Sequence, residues 1–193
     1  MSEGVVRGRP ARDRLLRAAA DLFYADGMAA TGIDSITERA GVARKSLYNN
    51  FASKDELVLA YIWGRHQEWL ELFEVRAREA QSARERVLAV FDAYIDHANA
   101  AYVHGFRGCG LLNAAAELPV GTPGRMAVRE HKEQVESILA SELAEVIEAG
   151  HAASLAEQLA FVLEGAVARA GLEGSAERLI HARAIAASLL DAM

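Results

Sequence analysis

The sequence predicts an all-α fold of about nine helices, and three observations carry that prediction. Apolar residues recur at helical spacing along almost the whole chain, period-two alternation is nearly absent, and Pro accounts for only 3 of 193 residues. A composition of 52% hydrophobic and 25% charged residues belongs to a globular chain. A single Cys excludes a disulfide framework or a multi-cysteine metal site and fits a reducing compartment. No apolar run reaches the roughly 18 residues of a membrane span. The first residues are basic without the apolar stretch of a signal peptide, so a cytoplasmic protein with no membrane partner is expected.

The elements follow in order. Leu15, Leu16, Ala19, Leu22 and Phe23 form one stripe, and Gly27 ends that helix. A short helix is expected over about 33–40, with Thr31 placed to cap it, and a second over about 44–50 after Gly41. Ser53 with Glu56 three residues on is a capping box, opening a long helix to about residue 79. Five more helices are expected near 82–101, 109–118, 124–149, 152–172 and 175–192, separated by Gly- and Pro-containing breaks including Gly150.

Charge is uneven. Residues 1–54 hold nine basic and six acidic side chains, net +3, whereas the remainder is net −9. Either one part meets a polyanion or the asymmetry, modest in size, is accidental. The stretch from Thr31 to Lys54, TGIDSITERAGVARKSLYNNFASK, decides more. Two short helices around a Gly-containing turn match a helix-turn-helix. Ile36, Ala40, Val42, Leu47 and Phe51 would fix their angle, leaving Arg44, Lys45, Ser46, Tyr48 and Asn49 outward on the second helix. Arg or Lys can bond guanine edges, Asn an adenine edge, and Ser, Tyr or Lys a phosphate. A plain helical hairpin with a polar face is the alternative.

The same residues resemble the DNA-binding head of the TetR family of bacterial transcriptional regulators. Thr31, Ile36, Ala40-Gly41-Val42, Leu47-Tyr48, Phe51, Lys54 and Leu57 stand in the family's register, and the likeness is strong from about Arg9 to Tyr61. It implies a helix-turn-helix domain over 9–69, with the motif near 32–51, and a helical ligand-binding and dimerisation domain over 70–193. It implies phosphate contacts from Thr31, Tyr48 and Lys54 and base reading by Arg44, Lys45 and Asn49. The Gly8-Arg9-Pro10 arm, with Arg7, Arg12 and Arg14, would add backbone or minor-groove contacts, or else is a solvated tail. Three departures stand out: Thr37 where Ala is commoner, Ala43 where Ser often caps, and Asn50 in place of a frequent His.

For the C-terminal half the resemblance implies that the last two helices pair with those of a second copy. Stripes of Leu155, Leu159, Val162, Ala166 and Ala170, and of Leu179, Ala182, Ile185, Ala186 and Leu189, suit that interface or the domain's own core. A two-fold dimer would read a palindromic double-stranded operator. Ligand-pocket candidates are Trp63, Phe91, Tyr94, Asn113, Glu117, His131 and Phe161. Asn113 and Glu117, four apart on one helix, would both point inward, where Glu117 could take a cationic or hydroxylated ligand; a surface position for Glu117 is the alternative. Cys109 reads as a small buried residue rather than a redox sensor, and the six scattered histidines form no metal site.

The reading is therefore a homodimeric repressor released from DNA by an unknown small-molecule effector, with no catalytic residue, metal or cofactor expected. A ligand-independent regulator or an activator stays open. A small helical enzyme using His131, Glu117 and Cys109 has no support beyond residue type, because no nucleophile elbow, phosphate-binding Gly loop or H-E-x-x-H is present.

Overall fold

A computed structural model describes residues 10–100 and 102–193, and within them the fold is all-α with nine helices. In chain order these are α1 Pro10–Asp26, α2 Ile33–Ala40, α3 Arg44–Asn50, α4 Lys54–Glu79, α5 Ala83–Ala98, α6 Gly110–Ala116, α7 Pro123–Leu143, α8 Ala149–Glu173 and α9 Glu177–Asp191. Arg7, Gly8 and Arg9 of the predicted arm lie outside the described residues. No described helix is long and apolar enough to cross a membrane.

Caps set several boundaries. The Ser53 hydroxyl accepts from the Glu56 N–H at 3.1 Å while the Glu56 carboxylate accepts from Ala52 N–H at 2.7 Å, so the predicted box opens α4. Ser82 repeats the device at α5, accepting from Glu85 N–H. Three boundaries differ from expectation. Thr31 does not cap α2: the N-cap is Gly32, and Thr31 is buried with its hydroxyl donating to Gly27 O at 2.6 Å. The break expected at Gly150 falls instead at 144–148, because the Glu148 carboxylate caps α8 at His151 N–H and places Gly150 in the first turn. There a helix has no intrahelical N–H bond for glycine to weaken. Likewise α5 stops at Ala98 rather than near 101.

Two apolar cores share α4. Its first half, through Ile62, packs with α1–α3 and also with Leu111, Ala114, Ala115, Ala127 and Val128 of α6 and α7. Its second half, from Trp69, packs with α5, α7, α8 and α9 around Phe91, Leu139, Leu159 and Leu163. At about 1.5 Å per residue this 26-residue helix is a single rod of roughly 39 Å running from head to body. The Ala-rich stripes of α8 and α9 are divided: Leu159, Ala170, Leu179, Ala182 and Ala186 fill the body's own core, whereas Ile185 and Leu189 remain exposed.

One close approach locks the body to its connecting loop. A Cβ on Gly171 of α8 would stand 2.5 Å from Gly108 N and 2.6 Å from Gly108 Cα, and Gly108 itself has φ +82°. Replacing a helical Gly by Ala ordinarily stabilises by about 0.5–1 kcal/mol. Gly171→Ala is expected to do the reverse, lowering stability by about 1–3 kcal/mol through overpacking against backbone. Gly64→Ala in α4, where nothing lies within 4 Å, is the control and should raise the midpoint of urea unfolding.

Candidate functional site

The head presents one polar helix. Gly41, with φ +61° and ψ 42°, takes the left-handed turn between α2 and α3, a conformation that a side chain would penalise. Leu47 is the buried residue of α3, and with Phe51 at 1% exposure it fastens that helix to the head core. Arg44, Lys45, Tyr48 and Asn49 are left exposed and Ser46 half-buried. Tyr48 is 47% exposed, an unusual degree for an aromatic ring. Arg44 lies within 6.0 Å of the Tyr48 ring centroid and pairs with Asp34 at 3.0 Å. Both members of that pair are open to solvent, so the pairing is worth little and is exchangeable for a phosphate or base.

Two of the residues expected at DNA are engaged inside the head. Thr31 is 4% exposed and its hydroxyl is spent on Leu22 O and Gly27 O, so the structure buries it inside the head. Lys54 Nζ donates to Met28 O at 2.6 Å, tying α4 to the α1–α2 turn, and has further N–H groups to offer. Arg12 stacks on Phe51 at 4.7 Å, and Arg14 is exposed on α1. Of the departures, Thr37 is buried and returns its hydroxyl to Ile33 O and Asp34 O, while Ala43 caps α3 without a side-chain bond.

The body holds a small void of about 20 Å³, mainly apolar, where Phe106, Leu111 and Val167 join Arg65, Trp69, Tyr94, His97, Cys109 and His131 among the lining residues. Tyr94 and His131 were expected there; the other pocket candidates lie elsewhere. Phe91 is fully buried in the body core, Trp63 is half-buried against His66, and Phe161 is 67% exposed on α8. Asn113 and Glu117 both face solvent rather than inward. Asn113 donates to Arg107 O, and Glu117 accepts from Met28 N–H at 3.0 Å and Ala29 N–H at 2.6 Å. A carboxylate at the end of a short helix finds two unpaired turn amides more readily than it tolerates desolvation.

Arg65, Trp69 and His97 were not anticipated. The signal was present: Val58, Ile62, Arg65, Trp69 and Leu72 follow at helical spacing, so Arg65 interrupts an apolar stripe. Inside, His131 Nδ1 lies 3.0 Å from His66 Nδ1, and Lys132 pairs with Glu164 at 2.7 Å while reaching toward Tyr94 OH and Cys109 Sγ. Burial, with the charges of Lys132 and of neighbouring imidazoles, pushes His131 down to about 3. Burial, with Arg65 and Lys132, does the same for His97, also to about 3. Among the described residues no three His, Cys, Asp or Glu side chains converge as a metal site.

Two family profiles match the chain: one for bacterial regulatory proteins of the TetR family over residues 15–61, and one for the tetracycline-repressor-like C-terminal domain over residues 83–186. The chain belongs to the TetR family. It is a DNA-binding transcriptional regulator of helix-turn-helix type. The fold is similar to that of SCO4454, a TetR-family regulator from Streptomyces coelicolor (TM-score 0.82, 32% identity, covering 93% of this chain and 95% of that one). A TetR-type regulator of Streptomyces avermitilis is similar too, with TM-score 0.77, 35% identity, and 94% and 97% of the two chains covered. Among curated relatives, the transcriptional activator FasR of Mycolicibacterium smegmatis is 35% identical over 85 residues, 44% of this chain and 39% of FasR. The repressor KstR2 of the same species is 33% identical over 102 residues, 48% of this chain and 46% of KstR2. The chain thus spans about half the length or less of these curated relatives.

The depressed histidines make this TetR-family body acid-sensitive. Below the ordinary value of 6.5 the unfolded chain binds protons that the native His97 and His131 do not, so stability falls as pH falls from 6.5 toward 3. The slope is at most about 1.4 kcal/mol per pH unit for each histidine. Urea unfolding followed between neutral pH and the acid limb should show this decline, and His131→Leu should remove about half of it.

Proposed function

We propose that the chain is a homodimeric repressor that leaves a palindromic operator when a small molecule occupies its C-terminal body. The exposed polar face of α3 is the observation that carries the DNA half of this reading. Arg44, Lys45 and Asn49 are its base readers, and Ser46, Tyr48 and Lys54 its phosphate contacts, with Lys54 first exchanging its bond to Met28 O. KstR2 is named a repressor and FasR an activator. Repression is the simpler reading here, since occupying an operator blocks transcription without any second surface.

One head reads one half-site, and a second must stand roughly 34–36 Å away. The exposed face of α8 supports a dimer. Phe161, Gly165, Ala168 and Leu172 follow at spacings of four, three and four, large at the ends and small between, and Leu172 is 84% exposed. On α9, Ile185 and Leu189 are exposed as well. Small central residues let two helices approach closely, and an apolar face left bare on a monomer marks an interaction site.

Ligand control is read from the segment between α5 and α7. Phe106, Cys109, Gly110 and Leu111 line the void, while Arg107 and Glu117 of the same segment grip the head. A ligand that binds one placement of this segment better than another shifts the head by that difference in affinity and no more. The smallness of the void favours a second reading, a regulator whose DNA binding no ligand alters.

Duplexes selected from a random pool should yield a two-fold symmetric site. Tyr48→Ala should weaken binding to it at least about tenfold, the scale of one lost contact, with the dimer's mass unchanged in sedimentation. Phe161→Glu should give a folded monomer without operator affinity; a dimeric Phe161→Glu protein removes this interface from the reading. Glu117→Gln replaces one of the two oxygens that accept from Met28 and Ala29 N–H by an NH2 donor. Hydrogen exchange at Met28 and Ala29 should then quicken by up to about tenfold, with α3 amides unaffected.

A further inference from the structure

Of the base readers on α3, Arg44 is the one ion-paired with a carboxylate among the described residues. Its partner Asp34 stands in the first turn of α2, across the Gly41 turn. Both Asp34 oxygens fall on the same nitrogen, Arg44 Nη1, at 3.0 and 3.3 Å. The Nε–H and Nη2–H edge of the guanidinium has no hydrogen-bond partner among the described residues. That edge is a parallel pair of donors, the fork that fits guanine O6 and N7. Tyr48, one helical turn along α3, has its ring centroid 6.0 Å from Arg44 Cζ.

An acidic side chain beside a recognition helix carries an electrostatic cost. Duplex DNA bears one charge per roughly 1.7 Å of axis, and any phosphate competes with Asp34 for the same guanidinium. Folding does not account for the pair: its side chains are 60% and 79% exposed, and ion pairs so open to water hold a fold weakly. A negative charge suits the first turn of α2, but that preference is met without a carboxylate turned toward α3. What the pair can do is decide which DNA group Arg44 takes. A phosphate approaching Nη1 meets the Asp34 carboxylate. A base edge carries no net charge and can use the Nε–Nη2 fork while Nη1 keeps Asp34.

We propose that Asp34 is a specificity-determining residue, which positions Arg44 with its Nε–Nη2 fork toward a guanine edge and bars a phosphate from that guanidinium. The proposal rests on the reading of Arg44 as a base reader and adds the residue that makes it one. Asp34 acts through Arg44 and is a positioning residue, not a base contact. The head thereby gives up affinity for duplex DNA in general and gains discrimination, because the unfavourable charge is felt by the wrong partner, a backbone phosphate, more than by the right one.

The full chain and its Arg44→Ala, Asp34→Asn and doubly substituted forms are each used to select duplexes from one random pool. Arg44→Ala should erase a guanine preference at one position of each half-site. Asp34→Asn should lower the preference at that same position by up to about tenfold, the scale of one well-placed base contact, and add nothing in the Arg44→Ala background. Fluorescence anisotropy with a scrambled duplex should show Asp34→Asn binding up to about tenfold tighter than the unsubstituted chain at low salt. Its log–log salt slope should steepen by about one per head, the signature of a new phosphate contact. Asp34→Glu, which keeps the charge, should bind the scrambled duplex as weakly as the unsubstituted chain. A lower urea midpoint for Asp34→Asn with equal losses on selected and scrambled duplexes makes Asp34 merely structural and overturns the proposal. So does relaxation at a different position, which would make Asp34 a base contact, and so do unchanged preference and unchanged scrambled-duplex affinity. If Arg44→Ala leaves every preference intact, the assignment of Arg44 as a base reader falls and the proposal with it. If Arg44→Ala relaxes one position and Asp34→Asn does not, the proposal alone falls.

Discussion

The head is held to the body by the loop before α6, and the rest of the molecule is arranged around that grip. Tyr24 near the end of α1 donates its hydroxyl to Gly108 O and accepts from Arg107 N–H at 2.6 Å. The Arg107 guanidinium returns to Tyr24 O and Ala25 O, and Glu117 closes on the two amides that follow. Behind the loop, the backbone of Gly108 rests directly on Gly171 of α8, leaving no room for a side chain on Gly171, while the φ of +82° at Gly108 disfavours a side chain there. The segment is thus pinned between the DNA-binding head and the helix that carries the exposed apolar face. Few of these bonds are deeply buried. Their strength comes from number and from fixed geometry.

That joint explains why α6, although in the C-terminal half by sequence, belongs to the head core. A rigid division at one residue of the chain would leave α4 as the sole connection. Instead α4 and α6 connect the parts independently, and α4 carries Arg65, His66 and Trp69 on its inner side where the two cores meet. Polar side chains at that level cost desolvation, and the structure meets much of the cost by pairing them: Arg65 with His97, Tyr102 and Glu68, His66 with His131, Lys132 with Glu164. Trp69 N–H and one Glu164 oxygen are left over. Positions of this kind weaken a core, which is why they are more informative about binding than the well-packed leucines beside them.

In the head the physics is simpler. Leu47 and Phe51 anchor a seven-residue helix that would not persist alone, and Arg44, Lys45, Tyr48 and Asn49 stay exposed on it. The ion pair of Arg44 with Asp34 keeps the guanidinium near Tyr48 without committing it. An acidic chain with net charge −6 thereby presents a compact basic and aromatic surface on a rigid support.

Helix number, the helix-turn-helix and its exposed face were legible in the sequence, because they depend on local period, on one Gly turn and on residues within a single short stretch. Thr31 shows the limit of such reading: its position fits a cap, yet burial makes it a donor to carbonyls of the preceding helix turn. Glu117 and Asn113 share a helix face, and the sequence carries no information on whether that face meets a cavity or another helix's bare amides. Phe161 and Phe91 have the same apolar character, and only packing assigns one to the core and the other to the surface. The Arg65–His97 contact joins residues 32 positions apart where α4 and α5 pack together. Local spacing determined the elements and the recognition helix; the long-range contacts that select which polar groups are paired, and which are left facing a cavity, were decided by the tertiary structure alone.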